Sequence, residues 1–178
     1  MSVLLNEDFT FIVQGITGRE AVNLTRECLD YGSKVVGGVT PGRKGREVHG
    51  VPVFDTVAQA VEHHGAPIDG SVVTVPPAFT KDAVFEAILN GIKLVVVVTE
   101  RIPRGDVAQM VELADMNGAR IIGPNCLGVI VPAWPKDMPF ISSSSMNLPA
   151  MKATIGRREL LSLTHSASWA SMRPPGSV

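Results

Sequence analysis

The fold of this chain is decided by the stretch Phe9-Thr10-Phe11-Ile12-Val13-Gln14-Gly15-Ile16-Thr17-Gly18-Arg19-Glu20, where an apolar run passes through a glycine turn into a helical pattern. A buried strand that leads through such a turn into a helix is the usual phosphate cradle of α/β proteins. The unpaired N–H groups and the dipole of the helix N-terminus both attract an anion there. The spacing Gly15-x-x-Gly18-x-x-Ala21 differs from the G-x-G-x-x-G of dinucleotide-binding domains. The turn therefore predicts an anion site and leaves the nucleotide open.

The second predicted strand, Lys34–Val39, ends in a turn that contains Pro41, Arg43 and Lys44. A domain of this kind that binds NAD needs a carboxylate near this point to hold two ribose hydroxyls. Basic side chains here favour a nucleotide with an extra phosphate on its ribose. NADP and coenzyme A are the two candidates.

Strand and helix patterns alternate along the chain between residues 9 and 122. The predicted strands are 9–13, 34–39, 51–54, 71–75, 94–98 and 120–122. The predicted helices are 19–29, a helix capped by Asp55 or Thr56 and reaching His63, 83–89 and 106–116. This order predicts the α/β class, a Rossmann-like open parallel sheet with helices on both faces.

Composition restricts the class of protein further. The 178 residues are 45% hydrophobic and 19% charged, which fits one globular domain with a tail. A formal net charge of −1 argues against a nucleic-acid or membrane-surface partner. Cys28 and Cys126 lie far apart and predict reduced thiols, and the N-terminus lacks a secretion signal. We therefore expect a cytoplasmic or mitochondrial-matrix protein that is not secreted.

The character of the chain changes after residue 132. We expect a folded domain over 1–132, a linker over 133–150 and an irregular tail over 151–178, because turn residues dominate and no period of 2 or 3.6 persists. Residues 171–177 can be back-translated into two adjacent cloning sites. This supports the hypothesis that part of the tail is vector-derived.

Six segments, in the same order, resemble the N-terminal coenzyme A-binding domain of the succinate–CoA ligase (succinyl-CoA synthetase) alpha subunit. They are Gln14–Gly18, Lys34–Gly42, Gly50–Phe54, Val75–Pro77, Thr99–Pro103 and Ile122–Cys126. The resemblance extends over about the first 132 residues, and the six segments together are far more specific than any one of them.

The resemblance implies which residues contact coenzyme A. They are Thr17, Gly18, Arg19, Glu20, Pro41, Arg43, Val75, Pro76, Val98, Thr99, Glu100, Asn125 and Cys126. In this set Arg43 replaces the family's lysine near the ribose 3′-phosphate. Complete enzymes of this family convert succinate and coenzyme A to succinyl-CoA with ATP or GTP, Mg²⁺ and a beta-type subunit, through a phosphohistidine in a second domain.

Three positions depart from the family pattern. Ala21 and Arg101 stand where the family usually has glycine, and Leu127 stands where it has proline. If position 101 needs a positive φ, arginine is strained there or the loop has shifted.

A second domain has no counterpart in the sequence, and none of the histidines lies in the context of the family's phosphohistidine: His49, His63, His64 and His165. We therefore predict that the chain alone is catalytically inactive and has no catalytic or metal-binding residues of its own. Two alternatives remain open, an NADP-dependent reductase domain and a stand-alone coenzyme A-binding regulatory module.

Overall fold

A computed structural model describes residue 5, residues 8–126 and residues 128–129 of the chain. The boundaries predicted at 132 and 150, the tail and Leu127 lie outside this part. In chain order, the elements are β1 (Thr10–Gln14), α1 (Arg19–Asp30), β2 (Lys34–Val39), β3 (Glu47–Val48), β4 (Val51–Phe54), α2 (Val57–His64), β5 (Gly70–Val73), α3 (Pro77–Leu89), β6 (Leu94–Val97), α4 (Arg104–Asn117) and β7 (Arg120–Ile122). The predicted Rossmann-like α/β class is confirmed.

The strands form one seven-stranded sheet in the order β3-β4-β2-β1-β5-β6-β7. Every neighbouring pair is parallel except β3 and β4. From the central β1 the chain first moves to β2 and β4, and it then returns to β5 on the other side. In open α/β sheets, ligands bind outside the carboxyl ends of the strands at such a reversal. The loops after β1 and β5 therefore mark the expected site.

Helices cover both faces of the sheet. Successive residues of a strand point to opposite sides, so each buried strand presents apolar side chains to both layers of helices. Ile12, Val73 and Val95 pack with α2, α3 and α4 in one cluster. Val13 and Val72 pack with α1 in a second cluster on the other face. Within the described residues, no helix is long and apolar enough to cross a membrane.

The first strand is also held by a buried polar side chain. Gln14 is only 2% exposed. Its Nε2 donates to the Ala83 carbonyl oxygen at 2.9 Å, and its Oε1 accepts from Ser71 Oγ at 2.8 Å. The amide is satisfied on both sides, so it joins β1, β5 and α3 beneath the carboxyl edge of the sheet.

The start of α3 differs from the prediction. The helix begins at Pro77 and not at residue 83, and β5 ends at Val73 and not at residue 75. The pair Pro76-Pro77 predicted only the end of a strand. Proline is in fact favoured at the first helical position, where its missing N–H would have no partner and its fixed φ suits the helix. Thr80 Oγ1 also donates to the Pro76 carbonyl oxygen at 3.1 Å within this first turn.

The sheet ends in one antiparallel pair at its edge. β3 pairs antiparallel with β4 through a two-residue loop, in which His49 has a φ of 52° and Gly50 a φ of 80°. Two positive φ angles are typical of the type I′ turn, whose twist matches that of the flanking strands. The predicted strand at 51–54 is therefore the second arm of a hairpin.

Thr56, and not Asp55, caps α2. The Gln59 N–H donates to Thr56 Oγ1 at 3.3 Å, and the Asp55 N–H donates to Gln59 Oε1 at 3.3 Å. Glu86 of α3 adds an acceptor for the Val57 N–H at 2.7 Å. Neighbouring side chains thus accept hydrogen bonds from N–H groups in the first turn of α2, and the Asp55 carboxylate is left for another contact.

Within the described residues, neither Cys28 nor Cys126 forms a disulfide, and Cys28 is completely buried. Burial, with a smaller contribution from the Glu27 carboxylate, raises the pKa of Cys28 from 9.0 to about 12. Above pH 9 the unfolded chain loses this proton while the folded chain keeps it, so stability should fall as pH rises from about 9 to 12.

We expect this slope to reach about 1.4 kcal/mol per pH unit. Urea denaturation between pH 8 and 11 gives the free energy of unfolding of the wild type and of Cys28→Ala as two curves against pH. The difference between their slopes is the contribution of Cys28. Because lysine and tyrosine titrate equally in both proteins, parallel curves would contradict the assignment to Cys28.

Candidate functional site at the carboxyl edge of the sheet

The loop after β1 is a tight glycine turn, residues 15–18. Gly15 has a φ of 86°, its N–H donates to the Val39 carbonyl oxygen at 2.7 Å, and its carbonyl oxygen accepts from the Gly18 N–H at 2.9 Å. A Cβ on Gly15 would lie 3.0 Å from Thr74 Oγ1 and 3.2 Å from the backbone nitrogen of Val75. Only glycine suits both this positive φ and the small space beside residue 15. The glycine turn therefore packs closely against the loop after β5.

Helix α1 begins immediately after this turn, with Gly18 as its N-cap and no side chain in the capping position. Gly18, Arg19 and Glu20 are exposed, and Thr17 is half-buried. The first N–H groups of a helix have no partner within the helix, and together with its dipole they attract anions. The start of α1 therefore offers polar backbone groups, the Thr17 hydroxyl and the Arg19 guanidinium to one region of solvent.

The loop after β2 is the basic turn, residues 41–46, whose Arg43 and Lys44 are exposed. The Arg43 N–H donates to the Thr40 carbonyl oxygen at 3.1 Å, and the Gly45 N–H donates to the Val53 carbonyl oxygen at 3.2 Å. These bonds attach the basic turn to the ends of β2 and β4.

A hydrogen bond joins the glycine turn to Thr40, the residue that precedes the basic turn. Thr17 Oγ1 donates to Thr40 Oγ1 at 3.3 Å, and Thr40 Oγ1 in turn donates to the Val39 carbonyl oxygen at 2.8 Å. The two predicted phosphate-binding elements therefore lie side by side, although 23 residues separate the two threonines in sequence. The exposed N-terminus of α1 directly follows the glycine turn.

The loops after β5, β6 and β7 extend this edge in the other direction. Thr99 Oγ1 donates to the Val75 carbonyl oxygen at 2.7 Å. The Asn125 N–H donates to the Thr99 carbonyl oxygen at 3.0 Å, and the Cys126 N–H to the Val97 carbonyl oxygen at 3.3 Å. Each loop is thus bonded to the next one along the sheet.

All the residues that the resemblance implies follow strand ends on this one edge. Thr17–Glu20 follow β1, Pro41 and Arg43 follow β2, Val75-Pro76 follow β5, Val98–Glu100 follow β6, and Asn125-Cys126 follow β7. Sequence reasoning missed three further residues of the edge: Thr40, Thr74 and Asp55. Each directly follows a strand, so the rule that ligands collect at carboxyl ends could have identified them.

Ala21, one of the three departures from the family, lies inside α1 and not in the turn. It is 2% exposed and packs with Ile16 and Leu24. The methyl group therefore fills the core under the first turn of the helix and leaves the glycine turn unchanged.

Arg101 does adopt a left-handed conformation, with a φ of 59°. Its side chain is 85% exposed, and its Nε lies 3.5 Å from Glu100 Oε1. An ion pair this exposed contributes little to stability. The backbone strain of a non-glycine residue in this region is therefore not offset by that contact.

We expect Arg101→Gly to raise the free energy of unfolding by about 1 kcal/mol, because glycine adopts this φ without strain. Thermal unfolding of the two proteins at equal concentration measures the change. Arg26→Gly, at an exposed position in the interior of α1, is the matched control and should lower stability instead. A loss of stability in both variants would show that the conformation at 101 is not strained.

No group of three or more His, Cys, Asp or Glu side chains suited to a metal ion occurs among the residues that the structure describes. The candidate anion site consists of backbone N–H groups, hydroxyls and the arginine and lysine side chains at the glycine turn and the basic turn. An open parallel sheet with such an anion site at the reversal of strand order is a nucleotide- or cofactor-binding domain of the Rossmann-like class.

The chain belongs to the CoA binding domain family, whose model matches residues 6–101. It is 46% identical over 138 residues to the succinate–CoA ligase [ADP-forming] subunit alpha of Aquifex aeolicus (strain VF5), covering 76% of this chain and 45% of that protein. The corresponding subunit alpha 1 of Archaeoglobus fulgidus is 46% identical over 136 residues, covering 76% of this chain and 46% of the relative. The chain thus spans a little under half the length of these curated relatives.

Solved structures share the fold. A protein from Pyrococcus horikoshii OT3 aligns with a TM-score of 0.59 and 26% identity, over 68% of this chain and 29% of that one. ATP citrate lyase from Methanosaeta concilii, in complex with (3S)-citryl-CoA, aligns with a TM-score of 0.68 and 17% identity, over 85% of this chain and 26% of the lyase. D-galactose-1-dehydrogenase from Rhizobium etli also aligns, with a TM-score of 0.54 and 18% identity over 66% of this chain and 37% of that one. Identities of 17–18% establish the fold alone, and function has to be argued from the site.

Proposed function

We propose that this domain binds coenzyme A across the carboxyl edge of its sheet, as the N-terminal part of a succinate–CoA ligase-type alpha subunit. The observation that supports this most is the contact between Thr17 and Thr40, which places the glycine turn beside the basic turn. Coenzyme A has two separate phosphate groups, a pyrophosphate and a ribose 3′-phosphate. Two adjacent anion-binding elements match that pair.

In this arrangement the pyrophosphate lies at the start of α1, near Thr17, Gly18, Arg19 and Glu20. Arg43 receives the ribose 3′-phosphate, with Pro41 next to it in the basic turn. Arginine suits this role because its planar guanidinium can contact a phosphate with two parallel N–H groups.

The remaining residues line the path of the coenzyme along the sheet edge. Val75-Pro76 and Val98–Glu100 form adjoining loops that Thr99 joins through its hydrogen bond to Val75. Asn125 is attached to the same loop through the Thr99 carbonyl oxygen, and Cys126 follows it. We place the pantetheine arm over these loops, because their side chains are half-buried or exposed and because hydrogen bonds through the Val75 and Thr99 carbonyl oxygens hold the loops together.

Calorimetric titration with coenzyme A, dephospho-coenzyme A and NADP tests the proposal. We expect the tightest binding for coenzyme A. Tighter binding of NADP would favour the reductase alternative, and equal affinity for coenzyme A and dephospho-coenzyme A would remove the role given to Arg43.

The complete reaction, which joins succinate to coenzyme A with ATP or GTP and Mg²⁺, belongs in this proposal to the whole enzyme with its beta-type subunit. His49 lies in the β3–β4 loop, His63 and His64 end α2, and His165 is outside the described residues. None of the first three follows a buried strand into a glycine-rich turn at a helix N-terminus, where a phosphohistidine could be stabilised; His49 follows the two-residue edge strand β3 and precedes β4. We therefore propose that the chain alone accepts no phosphoryl group.

Incubation with γ-labelled ATP, Mg²⁺ and a beta-type subunit tests this directly. Acid-labile label on any of the four histidines would contradict it. Co-elution with the beta-type subunit in size-exclusion chromatography separates a ligase fragment from a stand-alone regulatory module, because only the former should associate with that subunit.

A further inference from the structure

Asp55, which follows β4, makes a paired contact with the basic turn. Its Oδ1 accepts the N–H of Arg43 at 3.0 Å and the N–H of Lys44 at 3.1 Å. One carboxylate oxygen thus binds the backbone of both basic residues of the turn. Hydrogen bonds to a charged acceptor are among the stronger ones in proteins.

The other bonds that hold the basic turn are between backbone groups. The Arg43 and Gly45 N–H groups donate to the carbonyl oxygens of Thr40 and Val53, and the Arg46 carbonyl oxygen accepts from the Val53 N–H. Residues 41–46 are all exposed. Gly42 and Gly45, on either side of Arg43 and Lys44, have φ angles of 73° and 85°, and a Cβ on either glycine would meet no atom within 4 Å. The conformation of the turn is therefore set by hydrogen bonds and not by packing, and two of those bonds end on Asp55.

We propose that Asp55 is a positioning residue, which holds the backbone of Arg43 and Lys44 so that their side chains are ready for the ribose phosphate of coenzyme A. This inference rests on the proposed function. It also explains how an acidic side chain can lie so near an anion site, since its oxygen is already engaged by two amides.

The experiment compares Asp55→Ala with Glu62→Ala, which removes an exposed carboxylate from α2. Each protein is titrated with coenzyme A and with dephospho-coenzyme A. We expect Asp55→Ala to weaken coenzyme A binding about three- to tenfold, because the turn must then be ordered on binding. Dephospho-coenzyme A should bind as before, and Glu62→Ala should change neither affinity.

Two further variants separate positioning from a general structural role. Asp55→Asn keeps an oxygen acceptor without the charge and should restore most of the affinity for coenzyme A. In an Arg43→Ala background, Asp55→Ala should have no further effect on coenzyme A binding, because the side chain that it positions is gone.

Equal weakening for both ligands, or an undiminished preference for coenzyme A in Asp55→Ala, would overturn the inference while leaving the proposed function intact. If Asp55→Ala does not fold, Asp55→Asn becomes the test. It must then lower the ratio of the affinity for coenzyme A to that for dephospho-coenzyme A about twofold, or the inference fails. If the wild type does not bind coenzyme A at all, the proposed function fails and the inference fails with it.

Discussion

Replacing Gly38 with alanine should lower the free energy of unfolding by about 2–3 kcal/mol. A Cβ at this position of β2 would lie 2.4 Å from both Cδ1 and Cγ2 of Ile16, and 2.8 Å from its Cβ. Ile16 is completely buried in the glycine turn, so it has no free space into which to rotate. We expect the new methyl group to displace the turn itself and to weaken coenzyme A binding together with stability. Urea denaturation and calorimetry on the same preparation measure both.

Gly37 provides the matched control, since it lies in the same strand and faces the other side of the sheet. A Cβ there would meet Phe54 Cε2 at 3.1 Å and Ile12 Cγ2 at 3.7 Å. The ring edge needs to move by only a few tenths of an ångström, and alanine is favoured over glycine within a strand. Gly37→Ala should therefore change stability by less than about 1 kcal/mol. Equal losses in the two variants would show that Ile16 is not the cause.

Replacing Arg43 with alanine should weaken coenzyme A binding by about ten- to a hundredfold. The reason is the loss of a charge-assisted contact with the ribose phosphate, typically about 1.5–3 kcal/mol. Because Arg43 is exposed in the basic turn, its removal should leave the fold unchanged. Calorimetry at constant salt measures the affinity, and thermal unfolding verifies that the protein is folded.

The control for Arg43→Ala is Arg26→Ala, which removes the same charge from an exposed position of α1. It should lower affinity only slightly, since a distant charge in salt is screened. Dephospho-coenzyme A should bind Arg43→Ala and the wild type alike. A loss of affinity for dephospho-coenzyme A as large as that for coenzyme A would place Arg43 at another phosphate of the ligand.

Most of the fold could be predicted because its parallel strands are short apolar runs. Residues 94–98 were predicted as a buried strand, and β6 occupies Leu94–Val97 with all four residues buried. Helix α1 was predicted to within one residue at its C-terminus. The start of α3 was wrong because a proline pair can both end a strand and begin a helix. Strand β3 was missed because two residues are too few to show a period.

The site could be predicted in part, for a different reason. Residues that directly follow strands meet at one edge whatever the details of packing, so the predicted groups do lie together there. The contacts between loops could not be predicted, because they depend on the register of neighbouring strands. The hydrogen bonds from Thr17 to Thr40, from Thr99 to Val75, and from the basic turn to Asp55 are of this kind. Their contribution to coenzyme A binding remains a prediction.

The short hairpin at the edge of the sheet also affects how copies of this chain behave in a crowded solution. β3 forms that edge and consists of only Glu47 and Val48, of which the acidic residue is exposed. Sheet edges with long rows of unpaired backbone groups promote aggregation, and brief, charged edge strands oppose it. The type I′ turn at His49-Gly50 folds these two residues back over β4, whose apolar sequence Val51-Pro52-Val53-Phe54 would otherwise be the outermost strand. The β3–β4 hairpin, whose Val53 carbonyl oxygen also accepts the Gly45 N–H of the basic turn, thus opposes pairing of this sheet edge with a neighbouring chain.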